Sequence, residues 1–186
     1  MKKLLVVIDY QNDFVNGALG FPGAESIDAG IADTIQRYLA LGGEVLFTFD
    51  THGENYLDSR EGHALPVPHC LDGSAGWQLY GQVQAQCRET CANHQIHHIK
   101  KPTFGMPPAA LAQLAERLGE VNEILVTGVV TNMCVISNAV MLQAQWPEAQ
   151  IIIDASLCRS FNPALHEKAL DVMEGLQMKV INREQT

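Results

Sequence analysis

The stretch EILVTGVVTNMCVISNA, Glu123 to Ala139, joins a short β-rich run to an apolar segment centred on Cys134. A β-rich run followed by glycine and an apolar segment is typical of a strand that turns into a helix packed on a sheet. Free cysteine is among the most buried residue types, so this stretch alone allows either a packed structural thiol or an enzymatic nucleophile at Cys134.

The same alternation of β-rich runs and amphipathic stretches extends along the whole chain. The predicted strands are KLLVVID, EVLFTFD, IHHIK, EILVTG, AQIIIDA and QMKVIN, beginning at residues 3, 44, 96, 123, 149 and 177. Amphipathic stretches that predict helices separate them. The pattern therefore predicts an α/β fold of three layers, doubly wound, in which a six-stranded, mainly parallel sheet carries helices on both faces.

Length and composition limit the classes of function. At 186 residues the chain suits one well-buried core, and we expect a single domain over residues 1–186. The net charge is −9, with 21 acidic against 12 basic residues and no cluster of Lys and Arg. This balance argues against nucleic acid or an anionic membrane surface as partner and favours a small-molecule substrate.

The cysteines and the apolar runs predict the compartment. Five cysteines occur at irregular spacings, and the apolar run near the start is cut short by Asp9. No run approaches the roughly 18 apolar residues that a membrane helix requires. We therefore expect a cytoplasmic protein with reduced thiols.

Polar residues stand at the carboxyl ends of four predicted strands, where ligands bind in open α/β sheets. Asp9 and Asp50 close the first two strands. Lys101 follows the third strand, and the fourth leads through Gly128 into Cys134. A single Asp at a strand end is commonly a helix cap, but four convergent ends favour a site with chemistry.

Cys134 has a setting that could activate a thiol. If Thr131 or Asn132 caps the following helix, free N–H groups and the helix dipole favour the thiolate. A neighbouring Lys101 ammonium would lower the pKa of the thiol further, and Asp9 could accept the proton. The pattern thus indicates a Cys/Asp/Lys nucleophilic set.

The turn before Cys134 also offers donors to a developing negative charge. The backbone N–H groups of Val130 and Cys134 are natural donors to an oxyanion. The other four cysteines lack a comparable strand–turn–helix setting and are expected to be packing or surface residues; they are Cys70, Cys87, Cys91 and Cys158.

Two clusters of His, Cys and acidic residues could bind a metal. The first comprises Asp50, His52, Glu61, His63 and His69. Two imidazoles and one or two carboxylates suit a divalent transition metal such as zinc, iron or manganese, although surface loops carry such residues without a metal. The rival cluster comprises Cys87, Cys91, His94, His97 and His98; it does not match a standard zinc pattern, and an exposed helix face beside a strand explains it as well.

Together these segments resemble the isochorismatase-like cysteine hydrolases and, within them, the nicotinamidases (pyrazinamidases). VVIDYQNDF is similar to the family's opening strand, FDTH and PHC to its metal segments, IKKPTFG to its lysine segment, and GVVTNMC to its nucleophile turn. The match spans nearly the whole chain in order and spacing, which is more specific than any single motif.

The resemblance implies roles for five positions around the nucleophile turn. Asp9, Lys101 and Cys134 are implied as a catalytic triad. A cis peptide bond is implied between Val129 and Val130, directing the Val130 N–H towards the oxyanion.

For the metal site, the resemblance implies Asp50, His52 and His69 as ligands. Glu61 is implied as a fourth ligand, with His63 the less favoured choice. The expected ion is zinc, with iron or manganese as alternatives. An isochorismatase proper is not expected to carry this metal set, so the metal segments favour an amidase.

For the substrate pocket, the resemblance implies Phe14, Leu19 and Phe104. Phe14 occupies one of the positions where nicotinamidases hold a pyridine ring between aromatics, but Leu65, Pro66 and Val67 occupy the second region. The implied reaction is hydrolysis of nicotinamide to nicotinate and ammonia through a thioester. Another amide, a carbamoyl compound or a ureide is the alternative substrate, and a non-catalytic binding protein on the same fold is the alternative of another class. Family members are often dimers or tetramers, so a homo-oligomer is expected.

Overall fold

A computed structural model of the protein describes residues 1–89 and 94–183. Its six strands are β1 Lys3–Ile8, β2 Glu44–Asp50, β3 Ile96–Lys101, β4 Glu123–Val129, β5 Gln150–Arg159 and β6 Lys179–Ile181. All six coincide with predicted runs. The main difference is β5, which continues past the predicted end at Ala155 to Arg159.

The helices lie between the strands, as predicted. They are α1 Asn12–Val15, α2 Asp28–Ala40, α3 Arg60–Ala64, α4 Gly81–Glu89, α5 Pro108–Leu118, α6 Ile136–Gln145 and α7 Pro163–Gly175. Short 3-10 turns occur at Ala24–Ile27 and Tyr56–Asp58, and a π-helical turn, Thr131–Val135, leads into α6. Within residues 1–89 and 94–183, no helix combines the length and apolar content needed to cross a bilayer.

The strands form one sheet in the order β3-β2-β1-β4-β5-β6. Every neighbouring pair is parallel, so the sheet is wholly rather than mainly parallel. The chain winds outward from β1 in one direction and then returns to β4 on the other side of β1. In a doubly wound sheet this reversal opens a crevice at the carboxyl ends of the two strands, where ligands bind.

Helices cover both faces of the sheet and complete three layers. Leu5 and Val7 of β1 pack in a core with residues of α2 and α4. Leu4, Val6 and Ile8 point to the other face and pack with residues of α5, α6 and α7. The central strands are therefore apolar on both faces, which explains their uninterrupted hydrophobic runs.

Gly128 allows the two central strands to approach closely where the crevice begins. It pairs with Ile8 across the sheet and has a φ of +112°, a conformation that side chains other than glycine rarely adopt. A Cβ atom at this position would collide with the carbonyl oxygen of Ile8. The glycine therefore brings the end of β1 and the turn after β4 together.

Candidate active site

Asp9, Lys101 and Cys134 meet at the carboxyl ends of β1, β3 and β4. Lys101 Nζ lies 2.7 Å from Asp9 Oδ2 and 3.6 Å from Cys134 Sγ. The exposed fractions of the three residues are 0%, 0% and 5%. The structure thus brings the three predicted residues into one buried cluster.

The Lys101 ammonium is held by oxygen atoms on several sides. Nζ donates to Asp50 Oδ1 at 3.1 Å and to the carbonyl oxygen of Thr103 at 2.9 Å. Burial alone would lower its pKa, but the negative charge of Asp9, followed by those of a Cys134 thiolate and Asp50, raises the pKa above its ordinary value. Lys101 is therefore a charged group at neutral pH.

Asp9 is placed to exchange protons. Complete burial raises the pKa of its carboxyl, although the charge of Lys101 partly opposes this effect. Thr48 Oγ1 donates to Asp9 Oδ1 at 2.6 Å and accepts from the Asp9 backbone N–H at 3.1 Å. A carboxylate with a raised pKa holds a proton more readily, so Asp9 is a suitable general base.

The pKa of the Cys134 thiol is shifted in the direction opposite to the predicted one. Burial raises its pKa well above the ordinary value, and the negative charge of Asp9 raises it further. The charge of Lys101 lowers the pKa but does not compensate. Burial therefore outweighs the helix start and Lys101, from which the sequence predicts a lowered pKa, and a base is needed to accept the thiol proton.

The helix start is also organised differently from the predicted cap. The residue at the N-cap position is Val130, and no side chain caps the turn. Thr131 Oγ1 is hydrogen bonded to His166 Nδ1 at 2.8 Å. Asn132 Oδ1 accepts from the Ser160 hydroxyl at 2.6 Å. Both side chains thus tie the turn to the chain after β5 instead of capping the helix.

The Val129–Val130 peptide bond is cis, as the resemblance implies. Val130 and Cys134 both line one cavity beside this turn. The backbone donors proposed for an oxyanion therefore belong to residues that border the space where a substrate would lie.

Asp50, His52 and His69 form a second cluster beside the first. Their ligand atoms all lie within 4.8 Å of one another, and all three residues are buried. The Nε2 atoms of His52 and His69 lie 2.9 and 3.3 Å from Asp50 Oδ2. His69 Nδ1 donates to the carbonyl oxygen of Val67 at 2.8 Å, which leaves Nε2 for a metal. Two imidazole nitrogens and one carboxylate oxygen fit a divalent transition metal.

Asp50 connects the two clusters. Its Oδ1 faces Lys101, whereas its Oδ2 faces the two imidazoles. Burial alone would raise the pKa of Asp50, but hydrogen bonds from His52 and His69 and the charge of Lys101 hold it well below the usual range. Asp50 is therefore ionised, which is the state in which a carboxylate can bind a metal.

Two side chains that the sequence analysis did not identify support this cluster. Gln11 is fully buried; its Oε1 accepts from the Asp50 backbone N–H at 2.8 Å, and its Nε2 donates to the Asp50 carbonyl at 3.0 Å. The ring of Tyr56 lies 4.6 Å from that of His52 and 5.0 Å from that of His69, centroid to centroid. The position of Gln11 just beyond β1, at the sheet edge where the other site residues lie, is the signal that could have identified it.

The two candidates for a fourth ligand occupy different places. Glu61 is half buried and lines the cavity together with His69. His63 is exposed in the last turn of α3. Among the described residues, the group within 4.8 Å contains Asp50, His52 and His69 without Glu61. The structure therefore brings Glu61, but not His63, to the edge of the site.

The rival cluster does not converge. His97 and His98 are consecutive residues of β3 and so point to opposite faces of the sheet. His97 Nε2 pairs with Glu44 at 2.9 Å, whereas His98 Nε2 lies 3.4 Å from Cys87 Sγ. His94 is exposed, and Cys91 lies outside the described residues.

Two of the cysteines that were expected to be packing or surface residues, Cys70 and Cys158, are buried, and burial raises the pKa of both thiols.

A cavity of about 600 Å³ opens onto both clusters. Its buried end is formed by Val130, Cys134, Asp50 and His69. Phe14, Leu19 and Phe104, which the resemblance implies as pocket residues, line its walls. Phe21, Leu65, Met133 and Phe161 also line it and were not predicted. Phe161 follows β5 at the same edge of the sheet as the other site residues, and this position is the signal that could have identified it.

Comparison with known proteins places these observations in context. The isochorismatase domain model matches residues 3–185. An isochorismatase family protein of Bacillus subtilis strain 168, named PncA and described as uncharacterized, is 29% identical over 174 residues, which cover 91% of this chain and 93% of that protein.

Solved structures share the fold over nearly the whole chain. The crystal structure of nicotinamidase PncA from Bacillus subtilis has 30% sequence identity and a TM-score of 0.84, covering 97% of this chain and 99% of that one. The crystal structure of pyrazinamidase from Pyrococcus horikoshii in complex with zinc has 22% identity and a TM-score of 0.79, with the same coverage of both chains.

Proposed function

Because this chain belongs to the isochorismatase domain family, we propose that it is a cysteine amidohydrolase that converts nicotinamide to nicotinate and ammonia through a thioester. One observation carries this proposal. The buried Lys101 lies 2.7 Å from the Asp9 carboxylate and 3.6 Å from the Cys134 thiol, at the end of an apolar cavity that also reaches Asp50 and His69. The similarity to a nicotinamidase supports the same substrate.

The first half of the reaction acylates the cysteine. Asp9 accepts the thiol proton as Cys134 Sγ attacks the amide carbon, so the C–S bond forms while the carbonyl oxygen takes the negative charge. The N–H groups of Val130 and Cys134 donate to this oxyanion. Lys101 remains charged throughout and stabilises the negative charge that develops on sulfur.

The second half releases both products. When the tetrahedral intermediate collapses, the C–N bond breaks, and Asp9 returns its proton to the departing ammonia. Asp9 then accepts a proton from water, which attacks the thioester carbon. When the C–S bond breaks, Asp9 returns its proton to the sulfur and restores the thiol, and the released acid ionises to nicotinate.

Asp50, His52 and His69 would hold a divalent metal ion, which when bound supplies a Lewis acid for the pyridine nitrogen of the substrate. Zinc is the proposed ion, with iron and manganese as alternatives that nitrogen and oxygen ligands also accept. Glu61 is the proposed fourth side chain because it borders the same cavity. These residues orient the ring, and Asp9, Lys101 and Cys134 carry out the bond changes.

We expect one substitution at the metal cluster to abolish metal binding and weaken binding of the pyridine ring at the same time. Replacing His69 by Ala should remove the metal and weaken nicotinamide binding at least about tenfold, because the ring nitrogen loses its anchor. Elemental analysis of the purified protein measures the metal, and titration calorimetry measures the Kd.

The matched control for this experiment is His63→Ala, because His63 is an exposed imidazole nearby in the chain. It should keep both the metal and the affinity for nicotinamide. Loss of metal in His63→Ala with retention in His69→Ala would reverse the ligand assignment.

The substrate itself is tested by a panel of amides. Metal-loaded protein is incubated with nicotinamide, pyrazinamide and a small ureide, and ammonia release is followed. The phenylalanine side chains of the cavity disfavour a ureide, whose polar groups would lack partners there. Faster turnover of the ureide than of nicotinamide would identify a ureide as the substrate instead. No turnover of any of these compounds would favour a binding protein.

A further inference from the structure

We propose that this site accepts nicotinamides that carry an apolar substituent at ring position 5, and that Phe21, Leu65 and Phe161, here called the cavity mouth, bind that substituent. The inference deepens the proposed function and rests on it. It follows from the size of the cavity, the chemistry of its mouth and the two anchors of the ring.

The cavity is larger than a single-ring amide requires. Its volume of about 600 Å³ falls in the range of roughly 300–1,000 Å³ typical of pockets for drug-sized ligands. Nicotinamide, one pyridine ring with one carboxamide, fills only part of such a volume. Space therefore remains once the carboxamide has reached Cys134.

The remaining space is apolar and lies towards solvent. Cys134 and His69, which face the carboxamide and the ring nitrogen in the proposed function, are 5% and 2% exposed, whereas Phe161 is 56% exposed. Phe161 packs edge to face against the buried ring of Phe21, with ring centroids 6.2 Å apart. Leu65 adds an aliphatic wall. A solvent-exposed phenylalanine at the entrance of a site offers surface for an apolar ligand group.

Two anchors determine which ring position faces the mouth. The carboxamide at position 3 points to Cys134, and the ring nitrogen at position 1 points to the cluster of Asp50, His52 and His69. Position 5 is meta to both and points away from both. Since both anchors are buried, a substituent at position 5 extends towards the mouth, where Phe161 is exposed, whereas one at position 6 lies beside the nitrogen.

The test compares two isomers of equal size and hydrophobicity, 5-phenylnicotinamide and 6-phenylnicotinamide. Titration calorimetry with metal-loaded Cys134→Ala protein gives their Kd values without turnover. The 5-phenyl compound should bind about tenfold more tightly than nicotinamide because the added ring buries apolar surface. The 6-phenyl compound should bind more weakly than nicotinamide. Equal affinities of the two isomers would overturn the inference.

A variant of the mouth links the effect to its residues. Phe161→Ala should reduce the advantage of 5-phenylnicotinamide over nicotinamide to about twofold. Val172→Ala, which truncates an exposed apolar side chain on α7, should retain it. Nicotinamide turnover by the unaltered protein is measured in parallel. Its absence refutes the proposed function, whereas turnover without tighter binding of the 5-phenyl compound refutes this inference alone.

A separate set of contacts assigns Thr48 of β2 as the positioning residue for Asp9. Its hydroxyl is fully buried and makes two hydrogen bonds to one residue, donating to Asp9 Oδ1 at 2.6 Å and accepting from the Asp9 N–H at 3.1 Å. With Oδ1 occupied by Thr48, Oδ2 faces Lys101 at 2.7 Å. Thr48 thus sets the rotation of the carboxylate that serves as base.

Thr48→Val keeps the shape of the side chain and removes both hydrogen bonds. We expect kcat for nicotinamide to fall about tenfold to a hundredfold while KM stays within about twofold, because the base is misaligned but ring binding is unchanged. Thr48→Ser restores the hydroxyl and should recover most of kcat.

Thr127→Val is the matched control, since Thr127 is an equally buried threonine on β4 whose hydroxyl donates to the Val6 carbonyl at 3.3 Å. Thermal melts of all three variants report stability. A parallel loss of kcat in Thr48→Val and Thr127→Val, or no recovery in Thr48→Ser, would overturn the positioning role.

Discussion

Replacing Cys134 by Ala is expected to abolish amide hydrolysis, lowering kcat/KM for nicotinamide at least about 10⁴-fold. Without the sulfur no thioester forms, and Asp9 has no thiol proton to accept. Steady-state ammonia release measures the loss. Mass spectrometry of the unaltered protein, quenched during turnover, should show the added acyl group on the peptide that contains Cys134, and the variant should lack it.

Cys158→Ala is the control that removes the same atom from another buried thiol. Cys158 is 0% exposed, and its Sγ lies 3.9 Å from the Val126 carbonyl oxygen, close to the central strands. This variant should lose some stability because it leaves a small cavity, but it should keep most of its activity. Hydrolysis that survives in Cys134→Ala would rule out the thioester mechanism.

Replacing Asp9 by Asn is expected to lower kcat about 10²- to 10⁴-fold, the usual contribution of a positioned acid–base group. The amide cannot accept the thiol proton, and burial raises the pKa of Cys134 so far that few thiolates form without a base. Lys101 keeps Asp50 as a partner at 3.1 Å, so the ammonium is not left unpaired.

Two further variants separate catalysis from stability. Asp154→Asn alters another buried aspartate, on β5, whose Oδ1 accepts from the Ser156 hydroxyl at 2.6 Å; it should keep kcat. The double variant Asp9→Asn/Cys134→Ala should be no slower than Cys134→Ala, because the two residues act in one step. Additive losses in the double variant would contradict the assignment of Asp9 as base to Cys134.

The fold could be predicted from the sequence to a large extent. Each strand is a local run bounded by turn residues, and burial on both faces requires such runs to be apolar along their whole length. The motif resemblance to the isochorismatase-like family is confirmed by the match over residues 3–185. The strand order and the wholly parallel pairing were not predicted, because they depend on which distant runs pair.

Part of the candidate site was also predictable. Parallel strands align their carboxyl ends, so Asp9, Asp50 and Lys101 could be expected at one edge from their positions in the chain alone. Gln11, Thr48 and Phe161 were missed because their importance depends on contacts with residues far away in the sequence. Phe161, for example, is an ordinary residue after β5 until the fold sets it at the cavity.

The sequence by itself determined that this protein has an α/β sheet with a cysteine, a lysine and carboxylates at one edge, because strand periodicity and residue order are local properties. Only the tertiary structure decided how those groups behave. The helix start and the nearby lysine predicted a lowered pKa for the Cys134 thiol. The folded chain buries it beside Asp9 and so raises the pKa of the thiol. A pKa depends on desolvation and on distances to charges, and both exist only once the chain is packed.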